Sequence, residues 1–213
     1  MGGDAILPAA LGLGQGGATT EVELRVVVPH PAALIAALPS FVVTRPPQLQ
    51  VDTYYHMPAP EQLRIRQSRC FDGPVPQTLQ EWDLLRIDQI PLDSVVLTHK
   101  RQLDALGQAY AEEELSVGDL GALQHVLTQS GILVDVVVRK HRRSFAWDEF
   151  TLELDTLPGF GTFLDVELLG VPAQAALSRI TALLTGLGFA ATDVVSTTYT
   201  DLVRRSAQRT SPT

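Results

Sequence analysis

The sequence is short of the groups that mark several common chemistries. It holds one cysteine, Cys70, in 213 residues, so no internal disulfide can form, which fits a reducing compartment. A thiol with no recognisable partner reads as an inert packed residue. The five histidines, His30, His56, His99, His125 and His141, form no HExxH or similar metal spacing. Neither a Gly-x-Ser-x-Gly elbow nor a P-loop is present. The N-terminus lacks the basic stretch of a signal peptide, and Ile6 stands where a myristoylation signal carries Ser or Thr. The most apolar helical stretch, 172–191, is broken by Gln174, Ser178 and Arg179, so it is no membrane span. Positive charge is also in deficit: 16 basic against 24 acidic residues give a net charge of −8, which disfavours nucleic acid and anionic membranes. The expectation is a cytoplasmic protein with no nucleic-acid or membrane partner. Its oligomeric state is left open, a homodimer included.

Apolar residues make up 45% of the chain and charged residues 19%, enough for one sizeable core. Residues 1–18 are rich in Gly and Ala. Their "GLGQGG" superficially matches a dinucleotide fingerprint but lacks the strand before it, so they read as a flexible leader. One domain is expected over 19–205, followed by a frayed tail over 206–213. Strand patterns cover 19–28, 41–45, 50–56, 62–69, 80–88, 95–102, 108–117, 134–147, 149–156 and 161–169. "LPGFG" (157–161) has the glycines of a tight hairpin. Helical patterns cover 31–38, 117–131 with Asp119 as N-cap, 172–188, and a short stretch near 198–206. Trp82 and Trp147 read as wedges in an outer layer. One of Tyr54 and Tyr55 is expected to face inward and the other to pack.

Seven of the strands share one feature. In "EVELRVVV" (21–28), Glu21, Glu23 and Arg25 alternate with Val22, Leu24 and Val26, so the charged side chains share one face of a strand. The same period aligns Arg64 with Arg66, Thr98 with Lys100, Glu112 with Glu114, Lys140 with Arg142, Glu153 with Asp155, and Asp165 with Glu167. Any one such face is ordinary on an antiparallel sheet. Seven of them, holding six cations and eight carboxylates in same-sign pairs, point to a use, because like charges side by side repel. Carboxylate pairs suit hard divalent cations. Arginine pairs suit phosphate oxygens. Together they describe a site for a metal-bound polyphosphate, and they exclude an apolar ligand. His99 and His141 fall on the opposite face from Lys100 and Lys140.

These residues resemble the CYTH family, the triphosphate tunnel metalloenzymes, which include class IV adenylate cyclases and thiamine triphosphatases. The family's Glu-x-Glu-x-Lys signature is matched by Glu21-Val22-Glu23-Leu24-Arg25. "DTYY" (52–55), "LRIR" (63–66), "LTHK" (97–100), "EEELSVGD" (112–119), "VRKHRRSF" (138–145), "LELDTLPGFGTFLDVELLG" (152–170) and "STTYTDL" (196–202) follow in the family's order. The resemblance spans residues 19–205. It implies an α+β, mainly β, fold: an eight-stranded antiparallel barrel closed into a tunnel, with helices packed outside. It implies that Glu21, Glu23, Asp165 and Glu167 bind Mg²⁺ or Mn²⁺. Arg25, Arg64, Arg66, Lys100, Lys140 and Arg142 would hold the triphosphate, and Glu21, Glu23 and Arg25 form the catalytic signature. Glu112, Glu114, Glu153 and Asp155 would be secondary acidic groups.

The implied activity is that of a cyclase converting ATP to cyclic AMP and pyrophosphate, the "STTYTDL" ending being cyclase-like. The alternative is a triphosphatase acting on tripolyphosphate, thiamine triphosphate or a nucleoside triphosphate. Two departures stand out. Arg25 replaces the signature lysine; it keeps the charge but does not readily release a proton, so a non-catalytic polyphosphate or nucleotide-binding module is a third reading. Thirty residues (67–96), including "EWDLLRID", separate "LRIR" from "LTHK", which predicts a longer strand pair or loop at the tunnel mouth.

Overall fold

The computed structural model describes residues 19–37, 42–104 and 108–210; the expected leader over 1–18 lies outside them. The strands are β1 (Thr19–Val27), β2 (Val42–Val43), β3 (Gln48–Tyr55), β4 (Glu61–Cys70), β5 (Ser94–Gln102), β6 (Ala109–Ser116), β7 (Val134–Trp147), β8 (Phe150–Leu157) and β9 (Gly161–Leu169). The helices are α1 (Pro31–Ala37), α2 (Leu79–Leu84), α3 (Leu120–Gln129), α4 (Ala173–Gly186) and α5 (Tyr199–Thr210). The sheet runs β7-β3-β4-β5-β6-β1-β9-β8, and a further β7–β8 pairing closes it. All pairings are antiparallel. Eight strands thus form the expected closed barrel, and β2 adds a two-residue pairing to β7.

Closure turns the usual arrangement inside out. The charged face of each strand points inward, and the apolar face packs under the helices. Val22, Leu24, Val26, Leu152, Leu154, Leu164 and Val166 form one core with Leu34 of α1 and Ala176, Ile180 and Leu184 of α4. Tyr55, Ile65 and Val95 form a second with Leu127 of α3. Each fully buried aliphatic side chain contributes roughly 1.5–3 kcal/mol, so the hydrophobic stabilisation lies outside the barrel wall, and the interior is left to polar chemistry. No helix among the described residues is long and apolar enough to cross a membrane.

Three expectations are corrected. The strand expected over 80–88 is the helix α2 followed by a single 3-10 turn, Ile87–Gln89. Its alternating polarity suits a strand, but Thr78 Oγ1 accepts from the Glu81 amide at 3.1 Å and Glu81 Oε2 accepts from the Thr78 amide at 2.9 Å. That reciprocal capping box starts a helix, and Trp82, 2% exposed, anchors it. The frayed tail expected over 206–213 is helical as far as Thr210, because α5 packs Leu202 and Val203 against the barrel end. Cys70, expected to be packed, is exposed, since it ends β4 at the rim. His141, on the face opposite Lys140 as expected, is buried in the outer layer with its ring edge-on to Phe71 at 6.4 Å. Burial pushes its imidazole down to about 4.

Over 67–96, where a longer strand pair or loop is expected, β4 runs on to Cys70 and the insert before β5 carries α2. The Gly159 amide donates to Gln77 O at 2.8 Å, which ties the insert to the β8–β9 hairpin. That hairpin turns on Gly159 and Gly161, both at positive φ, as "LPGFG" predicts. Tyr54 lines the interior cavity while Tyr55 packs in the second core.

Candidate functional site

The barrel interior is a ring of paired charges, and strand register decides who meets whom. Arg25 lies opposite Asp165 across β1 and β9. Its Nε and Nη2 donate to the two Asp165 oxygens at 2.6 and 2.8 Å. Arg66 lies opposite Asp52 and chelates it likewise, at 2.8 Å twice. Arg142 lies opposite Asp155 and chelates it at 2.7 and 2.5 Å, with a further ion pair to Glu153. Lys140 donates to the same Asp155 at 2.9 Å. Lys100 lies opposite Glu112, 2.9 Å away, and also bonds Glu21.

Arg64 is the loosely held cation. It donates to Thr98 at 2.9 Å, but its carboxylate neighbours Glu114, Glu112 and Asp52 stand 3.6–3.9 Å off. Its Nε is buried with no hydrogen-bond partner among the described residues. An unmet buried donor costs roughly 1–3 kcal/mol, so an anion reaching Arg64 removes an existing deficit.

Asp52 escaped the sequence reading, which counted eight inward carboxylates. It sits in the quoted "DTYY" and shares a face with Gln48, Gln50 and Tyr54. Without a second charge in its strand, only its partner on β4 marks it as a site residue. Burial alone would raise its pKa, but Arg66 and Lys140 outweigh burial and hold it far below the usual carboxylate range. Asp155 behaves the same way under Arg142 and Lys140.

The opposite holds for three glutamates. Single carboxylate oxygens of Glu21, Glu23 and Glu167 lie within 4.8 Å of one another. Burial pushes Glu21 up to about 7 despite Lys100, with Glu112 adding to the rise. Burial first, then repulsion from Glu153, Glu21 and Glu23, raises Glu167 well above its ordinary value. Glu21 and Glu167 thus resist ionising, and hard oxygen donors at the spacing of this trio fit a divalent cation such as Mg²⁺ or Mn²⁺. Asp165, the fourth expected ligand, lies outside the trio with both oxygens on Arg25.

The trio predicts a pH effect with a definite sign. The folded chain holds a proton on Glu21 that the unfolded chain releases between about 4.5 and 7. Metal-free stability therefore falls as pH rises through that window. A cation that replaces the proton reverses the loss, so the rise in melting temperature on adding Mg²⁺ or Mn²⁺ is expected to be larger at pH 7.5 than at pH 5. Equal shifts at both pH values would separate Glu21 from the cation.

Beside the trio lies a cavity lined by Glu23, Arg25, Arg64, Arg66, Lys100 and Lys140, among others. Five of the six expected phosphate-binding cations thus share one wall-to-wall space. Arg142 is not on that lining and is held by Asp155 and Glu153. Of the secondary acids, Glu112 and Glu114 stand around Lys100 and Arg64, and Glu153 and Asp155 around Lys140 and Arg142. Tyr54, Gln62, Thr198 and Thr200 connect the cavity to an outer vestibule that His56, Glu61, Asp135 and Arg204 help to line.

The CYTH domain profile matches residues 19–199 of this sequence. Among solved structures, a conserved hypothetical protein from Pyrococcus furiosus superposes with a TM-score of 0.70 at 24% identity, over 85% of this chain and 99% of that one. The PH1012 protein from Pyrococcus horikoshii gives 0.68 at 23%, over 85% and 98%. A proposed adenylate cyclase from Vibrio parahaemolyticus gives 0.64 at 20%, over 89% and 99%. At these identities the likeness is one of fold. No functionally curated protein matches the sequence.

Proposed function

This chain belongs to the CYTH domain family, and from that premise we propose that its tunnel is the active site of a divalent-metal-dependent enzyme acting on a triphosphate, with cyclisation of ATP to cyclic AMP and pyrophosphate as the leading reaction. The observation that carries this reading is the segregation of charge: a glutamate trio, in which Glu21 and Glu167 resist deprotonation, stands beside a cavity walled by five cations. Glu21, Glu23 and Glu167 would hold the cation, which when bound neutralises phosphate oxygens and acts as a Lewis acid. Arg64, Lys100, Lys140 and Arg66 would cradle the phosphate chain. Little covalent work falls to the protein; positioning and charge stabilisation carry the rate. In the cyclase reading the ribose 3′-hydroxyl oxygen bonds to the α-phosphorus, the bond to the pyrophosphate leaving group breaks, and the hydroxyl proton is released to solvent. The vestibule beside the cavity supports a substrate with an organic end. The cyclase proposed for the Vibrio relative lends further support.

The test is a product assay. Purified protein is incubated with Mg²⁺ or Mn²⁺ and, separately, ATP, tripolyphosphate and thiamine triphosphate. Cyclic AMP with equimolar pyrophosphate is the expected result. Orthophosphate without cyclic nucleotide would instead establish a triphosphatase. Binding without any product would favour the non-catalytic module, the reading suggested by Arg25, whose guanidinium is permanently charged and locked to Asp165.

A further inference from the structure

The first residue of α5 drives an aromatic ring into the end of the tunnel. Tyr199 is 5% exposed. The Arg25 guanidinium carbon lies 3.6 Å from its ring centroid and Lys140 Nζ lies 5.3 Å away. Phe163 packs against it edge-on at 5.4 Å, and its hydroxyl donates to Asp165 Oδ2 at 3.3 Å. Arg25 is therefore held twice: its flat face lies on the ring and its fork grips Asp165. A guanidinium has the planar geometry for both contacts at once, whereas an ammonium is a point charge on a flexible stem. Arg25 also lines the cavity.

We propose that Tyr199 is a positioning residue of the anion site: it fixes Arg25 against Asp165, so that Arg25 meets an anionic ligand as a preset charge and Asp165 is kept out of the glutamate trio. The inference rests on the reading of the cavity as a triphosphate site. It gives the C-terminal helix a role in the tunnel's chemistry. It also explains how arginine works at the signature position: the ring stacks on the planar guanidinium while its fork grips Asp165.

A double-mutant cycle tests it. Wild type, Arg25→Lys, Tyr199→Leu and the double variant are titrated with tripolyphosphate at fixed Mg²⁺ by calorimetry. Tyr199→Leu is expected to weaken binding about fivefold or more, starting from the upper end for an exposed cation–π contact. In the Arg25→Lys background the same change is expected to alter the dissociation constant by less than about twofold, since the planar partner is already gone. Tyr199→Phe, which keeps the ring, is expected to recover most of the loss. Equal weakening in both backgrounds would make Tyr199 a helix anchor only and overturn the proposal. Should Tyr199→Leu not fold, Tyr199→Met takes its place in the cycle with the same two outcomes. A wild type that ignores tripolyphosphate would bring down the triphosphate reading itself, a result distinct from additive losses in a protein that binds.

Discussion

Glu23→Ala is expected to lower metal-dependent turnover at least about 100-fold while the protein stays folded. Removing groups that merely support a metal ligand typically costs about 10–100-fold, and Glu23 stands in the trio itself, with its carboxylate facing Glu21 and Glu167. Glu23 also lines the cavity, so it sits where the proposed cation and anion would meet. Its loss deprives the fold of little. Its nearest cation, Arg25, is 4.0 Å away and keeps its bidentate grip on Asp165. The remaining pair of glutamates repels less than the trio. The melting temperature without metal is therefore expected to hold steady or rise, and the stabilisation by Mg²⁺ or Mn²⁺ to shrink. Product assay and thermal unfolding, run with and without metal, check both halves. Turnover retained at the wild-type level would remove Glu23 from the cation site.

Asp155→Asn is expected to be the costliest charge deletion in the tunnel, at about 3–5 kcal/mol, the usual consequence of leaving buried charge uncompensated. Asp155 is fully buried and serves two cations, Lys140 and Arg142, themselves 1% and 5% exposed. Burial and the neighbouring Arg142 already push the Lys140 ammonium down to about 8 against the pull of Asp155. Without that pull Lys140 sheds its proton more readily still. A depressed lysine binds fewer protons folded than unfolded, so stability is lost as pH falls through the window from its ordinary value downward. The variant is expected to recover part of its stability between pH 7 and pH 9. Tripolyphosphate offers the missing negative charge, so it is expected to raise the melting temperature of the variant more than that of wild type. Denaturant unfolding at the two pH values and a thermal shift with tripolyphosphate measure these effects. A cost under about 1 kcal/mol, the scale of a solvent-exposed ion pair, would show that the cluster is not the buried network described.

Asp155 also shows how much of the site could be read in advance. The period of two along a strand is a local property. From it, Glu153 and Asp155 share a face, as do Glu21 with Glu23 and Lys140 with Arg142, whatever the rest of the chain does. The same-face pairs therefore hold along each strand, while the structure leaves Arg142 off the cavity lining and Glu114 half-exposed. Local pattern failed where two local signals competed. In 80–88 the polarity alternates as in a strand, yet "TLQE" just before it carries a capping box, and that box with the burial of Trp82 prevailed. Asp52 failed differently: one acid in a strand has no same-face charge beside it, and its meaning lies in Arg66 on the neighbouring strand.

The sequence by itself determined which side chains share a face, because alternation needs only the pleat of an extended backbone. It also determined that the helices carry apolar stripes able to cover the other face. The tertiary structure alone decided that the sheet closes, because closure rests on the β7–β8 pairing and on register between strands far apart in the chain. It alone decided which charges neutralise one another. Arg25 and Asp165 are 140 residues apart, and only barrel closure and the β1–β9 register set Arg25 on Asp165 and bring Glu21, Glu23 and Glu167 together.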